Sequence, residues 1–128
     1  MLFERALRID EAAYGADHPA VATCANNLGR VLRAQGNYAG ARTLYERALR
    51  IGEAALGAEH PAAATYANNL GGVLRAQGDF AGARALFERA LRIFRAALGD
   101  AHPSTKTVRQ HLESLLQQTP PVSDARSS

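Results

Sequence analysis

The chain has 128 residues, 47% of them hydrophobic and 21% charged, with a single cysteine, a size for one domain and hardly two. No run of about 18 apolar residues occurs and Met1 leads straight into Leu-Phe-Glu-Arg, so neither a membrane span nor a secretory leader is expected. The net charge of +3 rests on 14 arginines and one lysine, Lys106, a skew that reads as coding bias as much as phosphate contact, so no nucleic acid partner is expected.

The elements follow from an internal repeat. His-Pro stands at 18, 60 and 102, and residues 18–59 match residues 60–101 at 31 of 42 positions. LFERALRI at Leu2 returns as LYERALRI at Leu44 and LFERALRI at Leu86. The chain thus holds half a unit, two whole units and half a unit. Six helices are predicted, at about 2–15, 19–35, 37–56, 61–77, 79–98 and 103–118. Pro19, Pro61 and Pro103 suit a first helical position, Asn37 and Asp79 suit N-caps, and Gly78 permits the left-handed turn that ends a helix. Glu4 with Arg8, Glu46 with Arg50 and Glu88 with Arg92 are spaced for intrahelical pairs.

Within a unit, Ala25, Leu28, Gly29 and Leu32, and then Ala67, Leu70, Gly71 and Leu74, form one apolar stripe on the first helix. Tyr38, Ala41, Tyr45 and Ala48, and then Phe80, Ala83, Phe87 and Ala90, form another on the second. Neither stripe can be buried by its own helix, so successive pairs must stack.

Leu-Gly-x-x-Leu in the first helix, with Gly-x-Tyr/Phe-x-x-Ala across the turn, resembles the tetratricopeptide repeat. The 42-residue period, the Ala-Leu-Gly-x-x-His-Pro link and Asn-Asn-Leu make it similar to the kinesin light chain class of such repeats. The resemblance implies an all-α fold, a right-handed superhelical solenoid of antiparallel helix pairs over residues 1–118. Residues 1–17 would be the second helix of a partial repeat, 18–59 and 60–101 full repeats, and 102–118 a capping helix. Two departures stand out: Ala25 and Ala67 replace the tryptophan often found there, and Glu113 replaces Gly29 and Gly71. The last unit has no second helix for a glycine to admit, so Glu113, with Arg109, His111 and Gln117, suits a polar cap. Residues 119–128, TPPVSDARSS, read as a disordered tail. At the other end Leu2, Phe3, Ala6, Leu7 and Ile9 belong to a second helix without its first-helix partner, which allows a fragment, self-association or a half-unit cap.

Catalytic signatures are lacking: no phosphate-binding Gly-x-x-x-x-Gly-Lys loop, no Gly-x-Ser-x-Gly, no His-Glu-x-x-His. An enzyme is not expected, nor a cofactor. The three His-Pro histidines are too far apart for one metal ion, because equivalent positions differ by a helix-packing distance of about 8–10 Å. They suit helix starts. Cys24 fits a reducing, cytoplasmic compartment.

The candidate site lies opposite the first-helix stripe. On a helical wheel Thr23, Asn27, Arg30 and Arg33 fall within about 100° of Asn26. Thr65, Asn68, Asn69 and Arg75 repeat the face, and Gln110 and His111 extend it. Asparagine can bond the main chain of an extended peptide and arginine can hold a carboxylate. The resemblance carries peptide binding onto Asn27 and Asn69 most directly. The reading is a non-catalytic module that binds a short acidic peptide in a concave groove; the alternative is a structural or oligomerisation piece of a larger scaffold. The lesser alternatives are that the asparagines bond between neighbouring first helices or simply face water. Arg42, Arg47, Arg84 and Arg89 read as a solvated outer face.

Overall fold

The computed structural model describes residues 2–118; the expected tail lies outside them, and Leu2 and Phe3 are described as backbone only. Six helices fill the described chain: α1 (Leu2–Tyr14), α2 (Pro19–Ala34), α3 (Tyr38–Leu56), α4 (Pro61–Ala76), α5 (Phe80–Leu98) and α6 (Pro103–Gln118). The predicted boundaries are met within a residue or so. Among the described residues there is no strand.

The repeated punctuation sets the helix ends. His18, His60 and His102 each use Nδ1 to accept the backbone N–H two residues on, at 3.0 Å, the role of an N-cap. Asn37 and Asp79 accept from Gly40 and Gly82 in the same way, at 3.0 and 2.9 Å. Gly36 and Gly78, with φ of 82° and 85°, reverse the chain between the two helices of a unit.

Each helix packs against the ones before and after it in the chain, forming a row of hairpins with one continuous core. Within a unit the close approach depends on the stripe glycine. A Cβ at Gly29 would lie 2.7 Å from the Tyr45 ring, and one at Gly71 2.8 Å from the Phe87 ring. Glu113 takes this position in α6, where no second helix follows, and it is exposed. Between units the packing residues change in complementary sizes. Tyr66 lies on Gly52, where a Cβ would come within 3.0 Å of its ring, and the corresponding positions are Cys24 with Asp10 and Val108 with Phe94. Most of both stripes is buried as expected, but Tyr38 is 38% exposed. The equivalent Phe80 packs partly buried against the core.

The intrahelical Glu-to-Arg pairs predicted from sequence give way to longer ties. Arg47 pairs with Glu11 at 3.2 Å and Arg89 with Glu53 at 2.6 Å, while Arg50 reaches Asp17 and Arg92 reaches Glu59. Each of these arginines thereby joins a second helix to the preceding unit. Arg47 and Arg89 are accordingly half-buried, which corrects the solvated-face expectation for both. The i, i+4 pairs that form are Arg42 with Glu46 and Arg84 with Glu88; Arg84 is exposed, whereas Arg42 is partly buried and also donates to Gln77 Oε1 at 3.3 Å, which corrects the solvated-face expectation for it too.

The candidate peptide groove

Two kinds of tie join successive units. Second helices are linked across units by long Arg–Glu pairs, whereas first helices approach closely enough for short amides to meet. Asn69 Nδ2 donates to Asn26 Oδ1 at 2.7 Å, joining α4 to α2. Asn68 Oδ1 lies 2.9 Å from His111 Nδ1, joining α4 to α6. First helices of successive units thus meet side by side through their side chains.

Along this shared face the predicted residues separate by what their side chains already do. Asn26, Asn68, Asn69 and His111 form the two amide ties. Asn26 is only 9% exposed, so the residue placed at the centre of the open polar face is covered by the next first helix. A single-helix wheel has no knowledge of that neighbour; the one available signal was the recurrence of paired asparagines in adjacent first helices. Arg75 is held by neutral groups of α6, its Nε donating to Gln118 Oε1 at 2.8 Å and its Nη2 to Ser114 Oγ at 2.9 Å. Thr23 and Thr65 turn their hydroxyls onto their own helix, donating to the Pro19 and Pro61 carbonyls at 3.3 and 3.2 Å. Among the described residues Asn27, Arg30, Arg33 and Gln110 have no side-chain hydrogen bond or ion pair.

Arg30 and Arg33 lie beside α3. With Ala34, Tyr38, Tyr45 and Asn69 they line a hollow of about 310 Å³, and Asn27, Arg30, Val31 and Ala34 line an adjoining one of about 510 Å³. Arg33 crosses to α4, where its guanidinium covers the bare backbone of Gly72; a Cβ there would meet Nη1 at 2.9 Å. Neither α2 nor α4 contains an acidic residue, so nothing on these two helices neutralises the arginines. The positive field is registered nearby. Burial lowers the His111 pKa below its ordinary 6.5, and Arg33 and Arg75 lower it further. Burial raises the Tyr45 hydroxyl, against which Arg33 and Arg30 pull down.

The model of the tetratricopeptide repeat matches residues 1–54, 26–96 and 62–119. The chain belongs to the tetratricopeptide repeat family. Among solved structures it is similar to a kinesin light chain-like protein of Podosopora anserina with nearly identical repeats, at 26% identity and a TM-score of 0.86, covering 97% of this chain and 59% of that one. It is also similar to BtubC (BKLC) of P. vanneervenii, at 26% identity and a TM-score of 0.81, covering 90% of this chain and 46% of that one. The chain therefore spans about half the length of these neighbours. No curated protein matches it. Tetratricopeptide repeats generally mediate protein–protein interaction and are non-catalytic scaffolds. No described helix is long and apolar enough to cross a membrane.

Proposed function

We propose that the inner wall of this array binds a short, extended, acidic segment of another protein, without catalysis, in a cytoplasmic setting. The observation that carries this reading is the pair Arg30 and Arg33 on α2, unpaired among the described residues, with no acid on α2 or the neighbouring α4. Unneutralised guanidiniums beside a hollow favour a carboxylate ligand through charge-assisted bonds. Asn27 and Gln110 supply uncommitted amides for a peptide backbone. The residues already engaged, Asn26, Asn68, Asn69, Arg75 and His111, stiffen the wall and border the site, while Thr23 and Thr65 edge it.

The test uses fluorescently labelled octapeptide pools, one rich in Asp and Glu and one charge-neutral, titrated by anisotropy. The acidic pool should bind more tightly, and Arg30→Ala with Arg33→Ala should weaken it about tenfold or more. Arg84→Ala on the outer face should change nothing. Equal binding of the two pools, or indifference to Arg30 and Arg33, overturns the groove assignment. The second reading, a structural or spacer segment, draws on the inter-helix ties of Asn26 with Asn69 and Asn68 with His111. On that reading neither pool binds, and Asn69→Ala acts only on stability.

A further inference from the structure

The two ends of the array are chemically unlike. At the α6 end Leu112 and Leu116 keep the positions of Leu28 and Leu32, but the small and acidic residues that an inner unit offers to the next second helix are replaced. Ala25 and Ala67, both fully buried beneath their own second helix, correspond to Arg109, and Gly29 and Gly71 correspond to Glu113. Glu11 and Glu53, which receive Arg47 and Arg89, correspond to Arg95; Glu59, which receives Arg92, corresponds to Ala101. Arg95 and Arg109 instead close on Asp100 at 2.7 and 3.1 Å. The groove beside Leu91, Ala96 and Leu112, of about 480 Å³, keeps an apolar floor, but its one acid, Glu88, is already paired with Arg84, and Arg95 stands where an inner unit presents Glu53.

The α1 end keeps the inner pattern. Ala6, Leu7, Ile9, Arg5 and Arg8 repeat Ala48, Leu49, Ile51, Arg47 and Arg50. Ile51 and Ile93 are 1% exposed, yet Ile9 is 59% exposed, and among the described residues α1, unlike α3 and α5, has no first helix packed ahead of it. Arg5 and Arg8 lack acidic partners among the described residues, whereas Arg47, Arg50, Arg89 and Arg92 each have one.

We infer that the array is extendable in one direction: the α1 face takes a further repeat hairpin with an Ala/Gly-faced helix and two carboxylates for Arg5 and Arg8, and the α6 face refuses one. A second copy does not meet that description. Its open first helix is α6, and Arg95 would then face Arg5. A symmetric contact between two α1 helices of 13 residues falls well below the roughly 1,200 Å² of a stable interface.

The test lengthens the chain by one period at either end. Duplicating residues 2–43 ahead of Leu2 supplies the missing helix together with copies of Glu11 and Asp17. It should raise the thermal midpoint by about 5 °C or more and slow amide exchange in α1 about tenfold. Duplicating residues 77–118 after Gln118 should leave the midpoint unchanged, with the added helices exchanging quickly. Arg95→Glu, Ala101→Glu, Arg109→Ala and Glu113→Gly, made at the original positions of that longer chain, should restore docking, judged against the same four changes without the duplication. Equal stabilisation from both duplications overturns the inference, as does unchanged α1 exchange in the first. A dimer of the parent chain in sedimentation, dispersed by Ile9→Glu, would make a second copy the occupant and also overturn it.

Discussion

Gly71 and Gly72 are adjacent on α4, and the same substitution at each is expected to act with opposite sign. A Cβ at Gly71 would lie 2.8, 2.9 and 3.2 Å from three atoms of the Phe87 ring, where carbon atoms prefer about 3.5–4.0 Å. Phe87 is 1% exposed and cannot swing away. Overpacking of this kind costs about 2–3 kcal/mol, offset by the ~1 kcal/mol that alanine gains over glycine in a helix. Gly71→Ala should therefore lose about 1–2 kcal/mol. At Gly72 the obstacle is the end of Arg33, a flexible chain that can move, so Gly72→Ala should gain about 0.5–1 kcal/mol. Displacing Arg33 should also weaken the acidic peptide. Urea unfolding followed by far-UV circular dichroism measures both stabilities. Phe87→Leu should relieve the Gly71→Ala clash, giving a coupling of about 1 kcal/mol or more in a double-mutant cycle. If both alanines shift stability the same way, or no coupling appears, the packing argument fails.

Three further outcomes follow from the same geometry. His111 titrates below its ordinary 6.5 because of burial and the neighbouring Arg33 and Arg75; the unfolded chain then binds its proton first, so stability is complete above about pH 6.5 and falls as pH drops through the lower folded value. In His111→Gln that component of the pH profile of unfolding should vanish. The Cys24 thiol donates to Asp10 Oδ2 at 2.7 Å, and burial followed by Asp10 raises its pKa to about 11. Iodoacetamide at pH 8 should consequently modify it about 100-fold more slowly than a thiol of ordinary pKa; Asp10→Asn should speed the reaction, and an unchanged rate would contradict the carboxylate's role. Thr105 is fully buried with its hydroxyl unbonded, at the position of Val21. Thr105→Val should stabilise the protein by about 1 kcal/mol in thermal unfolding, and a loss would show that the hydroxyl has a partner.

The helices were legible because their signals are local and stated several times over: His-Pro opens α2, α4 and α6, and Gly36 and Gly78 mark the turns within units. The exchange of Gly29 and Gly71 for Glu113 was legible too, since it breaks an otherwise strict repeat. The tie of Asn26 was legible only as an alternative reading, and that of Arg47 was not legible at all. A helical wheel and an i, i+4 rule describe one helix at a time, while the partners of these residues, Asn69 and Glu11, lie 43 and 36 positions away. The shared face of the first helices was thus legible, but its division into tied amides and free arginines depends on how neighbouring units stack.

The complementary sizes at the seams bear on how so repetitive a chain finds its register. With 31 of 42 positions shared between units, a helix could dock one unit out of place and lose little elsewhere. It would then set Tyr66 against Phe94, two rings where one fits, or Val108 against Gly52, leaving a void. Each junction carries its own key, so misthreaded and intertwined forms are disfavoured by the few residues in which the copies differ.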